Sequence, residues 1–172
     1  GVNENGGVFC HANTWAIIAE CMLGNNNEAY KIYKELIPHN IVKKFGVEKY
    51  NAEPYIYSSN IRAPMALDAG QAGVSWLSGT ASWMMIALEE YIFGVKPCYK
   101  GLKIMPCIPD EWKKTVIKRR FRSCEYTIEI DNSATCGNTV KEIYLDDKKF
   151  DGEYILSSAP TASVKVIMGK KK

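Results

Sequence analysis

Apolar residues recur every three or four positions in three stretches of the first half of the chain, and this spacing is typical of amphipathic helices. The first stretch follows Asn13 and Thr14, two residue types that favour helix starts, and Gly24 ends it. The three predicted helices span residues 13–23, 27–37 and 80–93.

A long segment, 38–79, separates the second predicted helix from the third. It is rich in glycine, alanine and aromatic residues but shows no sustained period. A structureless connection of this length is uncommon in a compact domain, and its apolar content argues against disorder. We therefore expect an irregular segment with a functional role.

The pattern changes near residue 97, after which short runs of β-branched and aromatic residues alternate with polar ones. Pro, Gly, Asn and Asp residues separate these runs, which favours an antiparallel sheet or sandwich. The sequence LDDKKFDG predicts a hairpin with Asp146 and Asp147 at its tip. The predicted strands are Leu102–Met105, Thr115–Phe121, Cys124–Asp131, Thr139–Leu145, Tyr154–Leu156 and Ser163–Met168.

The 172-residue chain is long enough for one sizeable hydrophobic core or two small ones. Its 47% apolar and 24% charged residues exclude the disordered and fibrous classes. The formal net charge is +3, and basic residues are concentrated in the lysines 170–172 and in residues 113–122. No aromatic stacking platform accompanies these charges, so we expect solvated surface and no nucleic-acid partner.

Six cysteines are present without a C-x-x-C pair, which indicates neither a zinc site nor a redox motif. We expect free thiols, no metal and a cytoplasmic protein. No secretory signal opens the chain and its apolar runs are short, so we expect no membrane partner. The chain begins at Gly1 rather than at a methionine, and we expect it to be part of a longer polypeptide.

Two glycine-containing loops each lead into a predicted helix. The loop NENGGVFCH carries Glu4 and His11, and the loop SWLSGT carries Ser78, Gly79 and Thr80. Helix N-termini present unpaired N–H groups and a partial positive charge, so two such ends could hold one tetrahedral oxyanion. The alternatives are plain helix caps for Ser78 and Thr80 and a packed core histidine for His11.

Five segments, in order along the chain, together resemble the C-terminal portion of the inverting β-glycoside phosphorylases of glycoside hydrolase family 94. This family includes the cellobiose, cellodextrin and chitobiose phosphorylases. The resemblance runs from residue 1 to about residue 131 and is weak over 132–172. The five segments are ENGGVFCHANTWAIIAE, AEPYIYSS, SWLSGTASW, YIFGVKPCYKGLKIMPCIPDEW and RRFR.

The resemblance implies an α+β fragment: the last helices of an (α/α)6 catalytic barrel over residues 1–96, then a C-terminal antiparallel β-sandwich domain over 97–172. It also implies a homodimer. The implied reaction is phosphorolysis of a β-linked di- or oligosaccharide, which gives an α-sugar 1-phosphate with inversion. Inorganic phosphate is then a co-substrate, and no other cofactor is expected.

In this family one carboxylic acid protonates the departing oxygen, while phosphate takes the place of the water and the general base of an inverting hydrolase. His11, Ser78 and Gly79 stand where family members hold the phosphate, and Glu4 matches a glutamate that contacts sugar hydroxyls. Thr80 is a further phosphate-binding candidate from its place at a helix start. Ser59 is another, although family members often have glutamine there.

The proton-donor aspartate of the family lies upstream of the matching region, so no catalytic residue is expected within this chain, and the isolated chain is expected to be inactive. Two alternatives stay open. One is a hydrolase on the same barrel type, with Glu4 or a neighbour as the base. The other is a non-catalytic carbohydrate-binding or structural module, for which the exposed-aromatic candidates are Trp112, Tyr126 and Tyr144.

Overall fold

The computed structural model describes residues 5–169 and divides into two compact units. The first unit runs up to Glu20 and resumes from Glu28 to Ala87, and the second comprises Cys21–Asn27 and resumes at Leu88. Glu4 and the C-terminal lysines 170–172 lie outside the described residues. The helices are α1 Cys10–Leu23, α2 Asn26–Leu36, α3 Pro38–Phe45, α4 Val47–Tyr50 and α5 Thr80–Ile86, and α5 continues as a π-helix over Ala87–Ile92.

Helix α1 begins at Cys10, three residues before the predicted start. The backbone N–H of Cys10 donates to the Ser59 carbonyl at 2.9 Å, so the first turn is satisfied by a distant part of the chain. Asn13 Nδ2 donates to the Phe9 carbonyl and the Thr14 hydroxyl donates to that of His11. Asn13 and Thr14 are therefore interior to the helix, and His11 lies in its first turn rather than in a loop.

The other two predicted helices are close to the observed ones. Helix α2 is confirmed to within one residue at each end. The helix expected over 80–93 is α-helical only to Ile86, after which the backbone widens into the π-helix, with Phe93 N–H donating to the Leu88 carbonyl. A π-segment leaves the apolar pattern of a helix unchanged, so spacing alone could not reveal it.

The prediction of an irregular segment over 38–79 is wrong for its first part. Pro38 occupies the first helical position of α3, where its missing N–H costs nothing, and Gly46 ends that helix with φ +90°. The short α4 then ends at Asn51 in the left-handed conformation. The buried apolar side chains of this first unit include Ile17, Ala29, Leu36, Ile41, Tyr50 and Met84.

Residues 52–79 contain no α-helix in the structure and are held by short backbone pairings. Strand β1, Val8–Phe9, pairs antiparallel with β2, Asn60–Ile61. Isolated bridges join Ile61 to Ala72 and Ser58 to Ser75. The segment around β2 is thus paired on both sides.

The second unit contains a hairpin of β3, Val95–Cys98, with β4, Gly101–Ile104, and a five-stranded sheet. The strand order in this sheet is β5-β6-β9-β7-β8, and β9 lies parallel to β6 and antiparallel to β7. The sheet is therefore mixed, whereas the sequence predicted an antiparallel one. Its strands are β5 Lys114–Phe121, β6 Cys124–Asp131, β7 Val140–Leu145, β8 Lys148–Phe150 and β9 Thr161–Met168.

Most predicted strands of the second half are confirmed, with shifts of one or two residues at their ends. The exceptions are 154–156, where only a bridge between Ile155 and Leu102 forms, β3, which was not predicted, and β8, which only the predicted hairpin implied. Asp146 and Asp147 form the two-residue tip of the β7–β8 hairpin, both with positive φ, as a type I′ turn requires.

The core of the sheet follows from alternating side chains on β6 and β9, which are buried at every second position. Ile128 pairs with Val164, and Ile130 with Val166. The basic residues near 113–122 fall on the edge strand β5, where charge discourages pairing with another sheet. Within residues 5–169 no helix is long and apolar enough to cross a bilayer.

Candidate functional site

The start of α1, the Ser58–Asn60 segment and residues 72–75 lie side by side in the first unit. Phe9 is opposite Asn60 in the β1–β2 pair, and the Ser59 carbonyl accepts the N–H of Cys10. On the other side, the Ser59 N–H donates to the Val74 carbonyl at 2.8 Å. These pairings bring the loop before α5 toward the first turn of α1.

His11 lies against Gly79, the residue that precedes α5. A Cβ atom at position 79 would lie 2.9 Å from Cε1 of His11 and 3.3 Å from Nδ1, so only glycine permits this approach. The first turn of α1 and the loop before α5 therefore meet, as the two sequence motifs predict. A role for this pair in phosphate binding stays a prediction.

Aromatic rings surround the His11 imidazole. Its centroid lies 5.2 Å from that of Trp15, 6.1 Å from that of Trp83 and 6.4 Å from that of Phe9. Among the described residues, Nε2 of His11 is buried and has no hydrogen-bond partner. A buried polar atom left unpaired costs roughly 1–3 kcal/mol, so this nitrogen is suited to a ligand.

Ser78 and Thr80 bond to one another. The Ser78 hydroxyl oxygen accepts the backbone N–H of Thr80 at 3.1 Å and also bonds to the Thr80 hydroxyl. Thr80 is fully buried, and its hydroxyl also lies 3.4 Å from the Ser58 carbonyl. Ser78 thus satisfies the first N–H of α5 from the position before the N-cap residue Gly79, while the hydroxyl and N–H of Thr80 are both engaged in fixing the Ser78 side chain.

The Ser59 side chain bonds within its own segment. The Ser59 hydroxyl donates to Oδ1 of Asn60 at 3.0 Å, and Asn60 is buried. Glu4, the predicted sugar-binding residue, lies outside the described residues.

Cys10 precedes His11 and is buried, and this burial raises the pKa of its thiol from 9.0 to about 11. The Ser58 hydroxyl opposes that shift by a hydrogen bond. A thiol with this pKa is protonated at neutral pH, so Cys10 does not supply a nucleophile. In the part of the chain that the structure describes, no three metal-ligating side chains cluster.

The second unit contains a cavity of about 970 Å³, and no predicted site residue lines it. Its lining contains four lysines and four carboxylates, and three ion pairs join six of them: Lys103 with Glu153 at 2.9 Å, Lys149 with Glu142 at 3.7 Å and Lys96 with Glu90 at 4.0 Å. Paired charges of opposite sign give no preference for an anion. This cavity is therefore not a candidate for the phosphate site.

Sequence reasoning missed the aromatic surroundings of His11. Trp15 and Trp83 fall at helical spacing, which indicated core packing and gave no sign that both rings lie beside one histidine. Asn60 was missed as well, and the polar triplet Ser58–Asn60 inside an apolar stretch was its available signal.

A family model described as "Glycosyl hydrolase 94 superfamily, catalytic domain" matches residues 1–94. The N,N'-diacetylchitobiose phosphorylase of Vibrio proteolyticus is 38% identical over 152 residues, which is 88% of this chain and 19% of the relative.

Two further relatives match nearly the whole chain. The solabiose phosphorylase of Paenibacillus borealis is 33% identical over 98% of this chain and 22% of its own length. The N,N'-diacetylchitobiose phosphorylase of Vibrio furnissii is 33% identical over 98% of this chain and 21% of its own length. The chain thus spans about a fifth of the length of the curated relatives it matches.

Proposed function

The chain belongs to the glycosyl hydrolase 94 superfamily, and from this premise we propose that it is the C-terminal part of a phosphorylase. The whole protein cleaves a β-linked di- or oligosaccharide with inorganic phosphate and releases an α-sugar 1-phosphate with inversion. Relatives named as phosphorylases of diacetylchitobiose and solabiose support this substrate class.

The proposed architecture assigns residues 1–96 to the end of an (α/α)6 barrel and 97–172 to a C-terminal β-sandwich domain. The family match over residues 1–94 and the change from helices to a five-stranded sheet support this division. In the proposed protein the barrel is completed by a part of the polypeptide that this chain does not contain.

One observation carries the proposal for the phosphate site: Nε2 of His11 is buried and unpaired beside Gly79. A phosphate oxygen would accept a hydrogen bond from this nitrogen and offset the cost of its burial. The surrounding Trp15 and Trp83 rings lower the local polarity, which strengthens such a bond.

The remaining candidates take supporting roles in this proposal. Ser78 contacts phosphate through its hydroxyl and Gly79 through its backbone N–H, while Thr80 holds the Ser78 oxygen in place. Ser59 reaches the phosphate through water, because its hydroxyl is shorter than the glutamine common in the family. Glu4 binds hydroxyl groups of the sugar whose bond is cleaved.

In the proposed mechanism, phosphate held at His11 attacks the anomeric carbon from the face opposite the departing sugar, which inverts the configuration. A carboxylic acid upstream of this chain protonates the glycosidic oxygen as the bond breaks. The isolated chain is then inactive. Phosphate is a co-substrate and no cofactor is required in this proposal, and we propose a cytoplasmic homodimer.

Two alternatives accompany this proposal. A hydrolase on the same barrel type would use Glu4 or a neighbour as the base that activates water, and sugar release by the full-length protein without phosphate would favour it. A sheet-based carbohydrate-binding module would need exposed aromatic faces, but Tyr126 is fully buried and its hydroxyl accepts the Ser157 N–H. Trp112 and Tyr144 are half-buried.

The test uses the full-length protein with a panel of β-linked disaccharides and varied phosphate. We expect His11→Ala to raise the KM for phosphate roughly ten- to a hundredfold, because a charge-assisted hydrogen bond contributes about 1.5–3 kcal/mol. His39→Ala is the matched control, since His39 is the other histidine of the chain and is exposed on α3. An unchanged phosphate KM in His11→Ala would refute the proposed site.

A further inference from the structure

Trp76 stands out in the first unit because its backbone is strained while its side chain is exposed. Its φ is +66°, which is unusual for a bulky residue, and the Leu77 N–H donates to the Ser75 carbonyl at 2.8 Å. Together these features define a γ-turn of the rare, strained kind, centred on Trp76. The side chain is nevertheless 67% exposed, so hydrophobic burial in this chain does not offset the strain.

A carboxylate fixes the orientation of the Trp76 ring. The indole N–H donates to Oε1 of Glu53 at 2.8 Å. This bond, together with the backbone N–H of Glu53 and the Ser75 hydroxyl, holds the pKa of the Glu53 carboxyl below its ordinary value, so the group is charged at neutral pH. The ring is therefore presented in one orientation with a charged acceptor at its edge.

The position of Trp76 along the chain links it to the phosphate candidates. Gly79 is three positions after Trp76 in the sequence, and three extended residues reach at most about 11 Å. The preceding residue, Ser75, is bridged to Ser58. A disaccharide that reacts with phosphate at Gly79 is therefore close enough to be contacted by Trp76.

We propose that the exposed face of Trp76 stacks on a pyranose ring of the disaccharide, while Glu53 accepts hydrogen bonds from hydroxyl groups of that ring. This inference rests on the proposed function. An aromatic face matches the C–H face of a β-linked pyranose, and a carboxylate matches its hydroxyls, so the pair combines the two kinds of contact that orient polar ligands in binding sites.

A sugar fits this surface better than another polypeptide segment does. An apolar protein segment packed over Trp76 would strip water from the charged Glu53 without supplying hydrogen bonds, which is costly. Sugar hydroxyl groups replace that water with donors. The strain at Trp76 is also typical of residues that are held ready for a ligand.

The experiment compares Trp76→Ala, Trp76→Phe and Leu77→Ala in the full-length protein. Leu77 is the matched control, since it is adjacent and 80% exposed but has no aromatic face. The probes are diacetylchitobiose, solabiose and cellobiose, each with and without phosphate, and the readouts are the two KM values and calorimetric disaccharide binding.

We expect Trp76→Ala to raise the disaccharide KM roughly three- to tenfold, in line with the strength of aromatic contacts, and to leave the phosphate KM unchanged. Trp76→Phe should retain most of the affinity, and Leu77→Ala should change neither value. Disaccharide affinity that is unchanged in Trp76→Ala, or lowered equally in Leu77→Ala, would overturn the proposal.

The two proposals fail in distinguishable ways. If the wild-type protein releases sugar equally without phosphate, the phosphorylase proposal fails, and the stacking proposal is judged on the sugar KM of that reaction. If the wild-type protein cleaves none of the probes, the stacking proposal is judged on disaccharide binding measured by calorimetry. Equal binding of the probes by the wild type and Trp76→Ala, or no binding by either, would then overturn the stacking proposal.

Discussion

The imidazole of His11, in the first turn of α1, lies so close to Gly79 that a Cβ at position 79 would be 2.9 Å from its Cε1, although the two residues are far apart in sequence. The strand pairing of Phe9 with Asn60 and the hydrogen bond from the Cys10 N–H to the Ser59 carbonyl position this first turn. The contact between His11 and Gly79 is the structural basis for the proposal that both residues belong to one phosphate site.

Replacing Gly79 tests this contact without removing a polar group. The Cβ of Gly79→Ala would lie 2.9 Å from Cε1 of His11, so the ring must shift by several tenths of an ångström. We expect a phosphate KM raised about tenfold in the full-length protein, because hydrogen bonds weaken quickly with misalignment. An unchanged phosphate KM with a changed disaccharide KM would contradict the assignment of this contact to phosphate.

Two glycines of the first unit offer a matched test of packing. Gly46 and Gly70 have nearly equal φ, +90° and +88°, but a Cβ at Gly46 meets nothing within 4 Å, whereas one at Gly70 would lie 2.4 Å from Cγ of Phe45. We expect Gly46→Ala to cost about 1 kcal/mol of unfolding free energy and Gly70→Ala about 1–3 kcal/mol more. Denaturant titration measures both, and equal losses would contradict the described packing.

The buried thiol of Cys10 predicts a loss of stability at alkaline pH. Its pKa is raised by burial from 9.0 to about 11, so the unfolded chain releases this proton first. The contribution is fully present below pH 9 and is lost as the pH rises through 11, and it is on the order of 2 kcal/mol.

Cys10→Ala is the variant that checks this effect. We expect its unfolding free energy to fall less steeply between pH 9 and 11 than that of the wild type. The two slopes should differ by about 1.4 kcal/mol per pH unit, the value for release of one proton on unfolding. The comparison uses the slope rather than the absolute stability, because the substitution also leaves a cavity. Equal slopes for the wild type and Cys10→Ala would show that burial does not raise the pKa of this thiol.

Two thiols in the second unit give a prediction for chemical reactivity. A hydrogen bond from Cys21 lowers the pKa of Cys107, and both residues line the cavity of that unit. We expect Cys21→Ala to slow iodoacetamide labelling of Cys107 at pH 8, because the thiolate fraction falls. Peptide mapping by mass spectrometry measures this, with the buried Cys124 as the internal reference, and faster labelling would contradict the hydrogen bond.

Local pattern predicted the elements well where one face of a strand or helix is buried. Strand β6 begins and ends at the predicted residues. Its buried positions, among them Ile128 and Ile130, alternate with more exposed ones, so the pattern was clear along the whole strand. The parallel pairing of β6 with β9 was missed, since alternation tells which face is buried but not which strand is adjacent. The start of α1 was missed because a distant carbonyl, that of Ser59, satisfies its first N–H.

The candidate site was predictable in part for a different reason. The resemblance named His11 and Gly79 together, and the structure brings them into contact. The γ-turn at Trp76 and its bond to Glu53 had no signal in the sequence, because both depend on how residues 52–77 fold back on themselves. Contacts within such an irregular segment follow from tertiary packing rather than from a local period.

The decisive measurement follows the product of the full-length protein acting on β-linked disaccharides. Each disaccharide is incubated with and without inorganic phosphate, and nuclear magnetic resonance identifies the sugar released and its anomeric configuration. We expect an α-sugar 1-phosphate, formed in equal amount to the freed sugar and only when phosphate is present. Equal release of free sugar in phosphate-free buffer would contradict the proposed function.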